Sequence, residues 1–309
     1  MFKQLTLFLL IFSGILSSQV ISEELIKSHL FALSSDLMEG RKAGTIGIEK
    51  AAIYIEKEFE RIGLDSFGGM NSYRQNFEER GLSLFNIVGY LEGKSKKNEI
   101  VVISAHYDHL GIKKGGDEED VIFNGANDNA SGVTAVLALA EHFSNQNNNE
   151  RSLLFVAFTA EEMGLLGSNY FGKQINSKNI IAGINIEMIG KESPFGPKTA
   201  WITGFDRSDF GRIIQQNLIG SDYKVFPDPY VNFNLFFRSD NASLAKLGVP
   251  SHTFSTSPMD KDLDYHKVSD EAKTLDLFTI SETIKAIAAG VKSIISGADS
   301  PTRVSISEN

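Results

Sequence analysis

Seven residues of this 309-residue chain combine a type that binds metal or moves protons with a place in the segments that follow runs resembling buried β-strands. Ile100 to Ala105 ends in His106, with Asp108 two residues on, and the loop beyond carries Asp128 just before a helical pattern begins. Leu153 to Thr159 ends in Glu161 and Glu162, Ile180 to Ile186 ends in Glu187, and His266 follows the last strand after a short loop. In open α/β sheets, ligands bind beyond the carboxyl ends of the strands. Five possible ligands and two further carboxylates converging on that edge would repel one another unless cations lay between them. Zinc accepts imidazole nitrogen and carboxylate oxygen, and paired sites about 3.5–4 Å apart are common in hydrolases.

Each residue also has a plainer explanation. A lone His at a strand end is more often a hydrogen-bonding residue than a ligand. His29 and His142 fall on helical patterns without suitably placed acidic neighbours, and His252 lies inside an apolar strand as a buried, satisfied residue. His109 competes with His106, but it lies beyond the strand, where a loop sets its direction. Glu161 and Glu162 fit a solvated helix start. As neighbours they also project differently, so that one can bind metal while the other faces a substrate water.

The elements that must position these residues alternate. Ile48, Ala52, Ile55, Phe59 and Ile62 form one face of a helix over residues 46–62, which Gly63 caps. Leu84 to Leu91 and Ile100 to Ala105 are neighbouring strands, 131–143 a helix and Leu153 to Phe158 a buried strand. Helices at Leu165 to Phe171, Arg207 to Leu218 and Leu275 to Ile295 alternate with strands at Ile180 to Ile189, Ala200 to Thr203 and Val249 to Phe254. This predicts an α/β fold, a largely parallel central sheet with helices on both faces and the zinc site at the carboxyl ends of its strands.

Composition narrows the functions available. The chain is 42% hydrophobic and 22% charged, with 27 Gly and 7 Pro, as expected of a packed globular enzyme. Net charge is −9 with scattered basic residues, which argues against nucleic acid as a partner. There is no cysteine, so any metal is held by His, Asp and Glu. Lys3, the apolar run Leu5 to Leu16 and Ser17-Ser18 form a signal-peptide pattern over residues 1–18 and predict export to the periplasm or exterior, with no membrane span after cleavage. Residues 19–295 are expected to be one catalytic domain, and 296–309 a polar, frayed tail. Gly89 to Ser95 is one residue short of a phosphate-binding loop and is a turn, and there is no Gly-x-Ser-x-Gly elbow to supply a serine nucleophile.

The strings Ala105-His106-Tyr107-Asp108-His109-Leu110-Gly111, Gly125-Ala126-Asn127-Asp128-Asn129-Ala130-Ser131-Gly132 and Phe158-Thr159-Ala160-Glu161-Glu162-Met163-Gly164 together resemble the co-catalytic zinc aminopeptidases of peptidase family M28. Asn185-Ile186-Glu187-Met188-Ile189-Gly190 and Asp264-Tyr265-His266 match the family's last two ligand segments, and the similarity runs from about Leu33 to the final helix. The resemblance implies two Zn2+ per chain, with His106 and Glu187 on one, Glu162 and His266 on the other, and Asp128 bridging them. Asp108 would orient the ligand imidazole. Glu161 would be the general base in the removal of N-terminal residues from peptides. The family most often has Asp where this chain has Glu187, and the longer side chain reaches a metal if its backbone retreats by about one methylene. Rival functions within the same fold are a single-zinc glutaminyl cyclase, a carboxypeptidase or dipeptidase, and a non-catalytic binding domain of the transferrin-receptor kind. Phe236-Phe237-Arg238-Ser239-Asp240 resembles a region beside the site, where the aromatic pair either lines a side-chain pocket or packs in the core.

Overall fold

The computed structural model describes residues 21–113, 115 and 120–306. The proposed leader lies outside them. No described helix is long and apolar enough to cross a membrane.

The chain opens with α1 (Glu23–Leu33) and α2 (Ile46–Ile62), followed by β1 (Asp65–Ser66), β2 (Arg74–Glu79), β3 (Leu82–Leu91) and β4 (Lys96–His106). A two-strand flap, β5 (Gly111–Ile112) and β6 (Ile122–Phe123), precedes α3 (Ser131–Gln146), β7 (Arg151–Phe158), α4 (Leu166–Gln174) and β8 (Ile180–Ile186). Then come β9 (Thr199–Ile202), α5 (Phe210–Asn217), β10 (Lys224–Pro227), α6 (Asn241–Ala245), β11 (Ser251–Ser255), α7 (Leu277–Gly290) and α8 (Lys292–Ile295). The main sheet has the order β1-β3-β7-β4-β8-β11-β9-β10, with β2 paired to β3, so β3 and β4 are not the neighbours expected from their succession in the chain: β7 lies between them.

Pairing is parallel at the centre, through β7, β4, β8 and β11, and antiparallel where β3 meets β7 and β9 meets β11. The expected largely parallel sheet is present, and antiparallel neighbours flank its core. From Ile100 to Ala105 β4 is apolar but for Ser104, because both of its faces are covered there. Val101, Ile103 and Ala105 join the larger core beneath α1, α2, α3 and α7, while Ile100 and Val102 join the smaller core with Phe171 of α4 and Leu244 of α6. That alternation is the two-residue period of a strand displayed on two buried faces.

Gly63 caps α2 as expected, in the left-handed conformation with its N–H on the Phe59 and Glu60 carbonyls. The tail differs from expectation. Val304 is 5% exposed and packs on Phe236 and Ala245, its N–H bonds to the Gly248 carbonyl at 3.1 Å, and the Arg303 guanidinium donates to the Ile180 carbonyl at 2.8 Å. Buried Arg151 reaches back to the Asp299 carbonyl. A polar, aperiodic segment docks here through its backbone, Val304 and the Arg303 side chain, a pattern that hydrophobic periodicity does not register.

Candidate metal centre

His106 is the last residue of β4 and is 1% exposed. Its Nε2 lies 3.2 Å from Asp128 Oδ1 and its Nδ1 lies 3.2 Å from the Asp108 carbonyl oxygen. The Asp108 carboxylate is farther, at 3.9 Å, and has another task. It accepts the backbone N–H groups of Glu161 at 3.0 Å and Glu162 at 3.3 Å, so it fixes the turn that presents both glutamates. The expected orientation of the imidazole falls to the Asp108 carbonyl instead. Burial pushes the Asp108 carboxyl up to about 6, against the pull of His106 and these two N–H donors.

Asp128 sits in the irregular Ala126–Ala130 segment before α3, and its neighbours stitch that segment to the end of β8. Asn129 Oδ1 accepts from Gly132 and Met188 N–H, and its Nδ2 donates to the Ile186 carbonyl. Asn127 Oδ1 accepts from Gly190 N–H at 2.8 Å. From the far side, the Asp270 carboxylate takes the N–H groups of Asn127 and Asp128. Gly132 must lack a side chain here, since a Cβ would fall 2.3 Å from the Ile186 carbonyl oxygen. These contacts bring Asp128 within reach of Glu187, which follows β8.

The two Asp128 oxygens face different partners. Oδ1 faces His106, and Oδ2 lies 3.1 Å from His266 Nε2. Glu162 Oε1 is 3.2 Å from the same His266 nitrogen. Ligand atoms of His106, Asp128 and Glu187 all lie within 4.8 Å of one another, and so do those of His109, Asp128 and Glu162. The Glu187 side chain therefore reaches the cluster despite its extra methylene.

Burial pushes the Glu187 carboxyl up to about 7, and burial together with Glu187 and Asp240 holds Glu161 well above the carboxylate range. Asp128 is driven well below its usual value, because His106 and His266 outweigh its burial. His266 is raised to about 10, burial being overcome by Asp128 and Glu162. Buried His106 Nε2 and Glu187 Oε2 have no hydrogen-bond partner among the described residues. Unpartnered imidazole and carboxylate atoms facing one another fit a borderline-soft dication such as zinc.

All seven predicted site residues are brought together. Two further residues contribute: His109, which the sequence pattern sets aside in favour of His106, and Arg41, to which it gives no role. His109 is buried, with Nδ1 3.0 Å from Glu162 Oε1 and 3.8 Å from Asp128 Oδ2, because its N–H is pinned to the Arg41 carbonyl. Arg41, 1% exposed, donates to the carbonyls of Leu33, Tyr107, Asn124 and Gly125, tying together the loops that hold His109 and Asp128. The other histidines behave as the plainer explanation had it. His29 bonds Tyr54, His142 bonds Gln146, and His252 lies between Ser208 Oγ and the Thr203 carbonyl. The aromatic pair divides, with Phe236 packed in the core and Phe237 lining the cleft over the cluster.

A central parallel sheet with overlapping His and carboxylate sets at its carboxyl edge is an architecture used by metal-dependent hydrolases. The chain belongs to peptidase family M28, whose family model matches residues 86–291. An aminopeptidase of Bacillus subtilis, YwaD, is 32% identical over 109 residues, covering 34% of this chain and 22% of that protein. A probable leucine aminopeptidase of Arthroderma otae is 28% identical over 257 residues, covering 79% of this chain and 64% of its own length. The matched stretches thus span 22% and 15% of the first two curated relatives. Among solved structures, the zinc aminopeptidase BSAP of Bacillus subtilis superposes with a TM-score of 0.71 at 16% identity, over 89% of this chain and 95% of that one. The glutaminyl cyclase of Porphyromonas gingivalis superposes with a TM-score of 0.69 at 15% identity, over 89% and 99%. At such identities the shared feature is the fold.

Proposed function

We propose that this chain is a two-zinc aminopeptidase, exported through the leader at residues 1–18, which removes N-terminal residues from peptides. The observation that carries the two-site reading is Asp128, whose Oδ1 faces His106 and whose Oδ2 faces His266. In this reading His106 and Glu187 hold one ion, Glu162 and His266 the other, and Asp128 both. Zinc at these sites supplies Lewis-acid polarisation of the scissile carbonyl and lowers the pKa of a water.

The chain's own residues do the rest. Glu161 takes the proton of the attacking water and returns it to the leaving amine nitrogen. In the metal-free protein burial, with nearby Glu187 and Asp240, raises the affinity of Glu161 for a proton. Asp108 fixes the direction of Glu161 through the backbone. Asp128, Glu161, Glu162 and Glu187 line a cleft of about 440 Å³ with Phe237, Arg238 and Tyr265, which is room for a peptide end.

A glutaminyl cyclase shares the fold, and the paired ligand sets favour the peptidase over it, since one ion would leave two of the five ligands unused. Purified protein assayed with aminoacyl reporters, free or blocked at the N-terminus, is expected to cleave only the free ones. Ammonia release from the side-chain carboxamide of an N-terminal Gln, as its α-amine closes on that carbonyl and the peptide bonds stay intact, would establish the cyclase instead. Mass spectrometry of the native protein is expected to find a mature N-terminus near Gln19, and an intact Met1 on cytoplasmic protein contradicts export.

A further inference from the structure

His266 stands on residues 256–271, a stretch after β11 that contains neither helix nor strand. Its backbone lies in the left-handed region at φ 56°, where a β-carbon is crowded, so the conformation persists only where its flanks fix it. Its side chain is 35% exposed, and packing in the core does not supply that constraint.

The flanks are held from the end of β8. Lys191, four residues after Glu187, places its ammonium between two carboxylates of the stretch, Asp262 and Asp264, the second at 2.7 Å. The Asp262 carboxylate also accepts the Asp264 N–H at 3.0 Å and Asn127 Nδ2 at 3.4 Å. Asp264 passes the grip to the other side of His266: its second carboxylate oxygen accepts the Ser269 hydroxyl at 2.7 Å, and its carbonyl accepts the Lys267 N–H at 2.9 Å. One ammonium thus fixes the chain on both sides of the ligand. Lys191 has a fixed base of its own, since Gly190 before it donates to Asn127 Oδ1 and accepts the Asp276 N–H at 2.9 Å.

Exposed ion pairs contribute little to stability. This pair is of the other kind, because the Asp262 side chain is 1% exposed and that of Lys191 17%. A carboxylate so buried keeps its charge at low cost only beside its partner, which makes the position of Lys191 a condition on the path of the chain.

We infer that Lys191 is a positioning residue for His266, setting the affinity of the loop-side ion although its place in the chain puts it on the strand side, beside Glu187. The inference rests on the two-zinc function proposed above. Sequence proximity and contacts make opposite forecasts. Proximity assigns Lys191 to the ion of His106 and Glu187, whereas its ion pairs assign it to the ion of Glu162 and His266.

The test is a titration of the metal-free protein with zinc against a competing chelator, in the wild type, in Lys191→Met and in the double variant Lys191→Met/Asp262→Asn. The loop-side step is the one that His266→Ala lacks. Lys191→Met is expected to weaken that step by about 10- to 100-fold and the strand-side step by less than about threefold. This variant strands the Asp262 charge in the interior, so the double variant, which leaves no buried charge unpaired there, is measured beside it. It too is expected to lose the loop-side affinity, because the tether is still missing. A wild-type loop-side step in the double variant overturns the inference, since the loss in Lys191→Met then came from the stranded charge. A larger loss on the strand side, equal losses on both, or no loss on either also overturns it and leaves the two-zinc function standing. A single zinc step in the wild type removes both.

Discussion

The two sides of Asp128 are built differently. On one, His106 is the last residue of β4 and Glu187 directly follows β8, adjacent parallel strands that the sheet holds in register. On the other, Glu162 and His266 stand on loops, with side chains 11% and 35% exposed against 1% for His106. The site is therefore more rigid on the strand side than on the loop side. Strand ends position their ligands by backbone ladders that form with the core, whereas the loop side depends on tethers from single residues, above all Arg41 and His109. The strand side should therefore bind its ion more tightly.

The largest effect separates chemistry from either side. Glu161→Gln keeps the shape of the cleft but removes the base, so kcat is expected to fall by on the order of 10²–10⁴ with zinc content unchanged. Near-normal turnover, or loss of zinc, would show that Glu161 is a ligand or a bystander. Next is Arg41→Met, which strips four carbonyls of a buried charged donor and is expected to cost about 3 kcal/mol or more in denaturant unfolding. A loss below about 1 kcal/mol would mean that the loops hold themselves.

His109→Gln probes the loop side alone. Loss of a residue that supports a ligand lowers metal affinity by about 10- to 100-fold, and here it is expected to weaken one zinc while sparing the other. Equal weakening of both would erase the contrast between the two sides.

The smallest effect is the pH dependence of the metal-free protein. Glu187 and Asp240 are raised to about 7 by burial, above their unfolded values, so the stability they contribute is lost as pH rises from about 4 through 7. His266, raised to about 10, acts in the same direction above its unfolded value of 6.5. With chelator present, the melting temperature is expected to fall between pH 5 and pH 8, and added zinc to restore it most at pH 8. A metal-free melting temperature that rises across this window would contradict the assigned burial of these groups.

The strand-held side was the more legible in the sequence, for the same physical reason that makes it rigid. A strand leaves an apolar run with β-branched residues, and the polar residue that ends the run must lie at the edge of the sheet, so His106, Glu161 and Glu187 could be placed from local pattern alone. Resemblance to the family was needed to divide the ligands and to separate Glu161 from Glu162. His109 stayed illegible because its direction follows from an N–H bond to Arg41, 68 positions earlier, that no local pattern encodes. Arg41 itself reads as a surface charge until four carbonyls are seen to converge on it. The true task of Asp108 was hidden in the same way, since its partners are backbone N–H groups some fifty residues on. Strands β2 and β10 are half-buried edge strands, and their mixed polarity gave no clear period.

The central claim is that Asp128 serves two ions, one held by strand ends and one by loops. Titrating the metal-free protein with zinc against a competing chelator tests it most directly, in the wild type and in His266→Ala. Two zinc ions per wild-type chain are expected, bound in two steps of unequal affinity, with loss of only the weaker step in His266→Ala. A single step of one zinc in the wild type, or loss of both ions on removing His266, would contradict it.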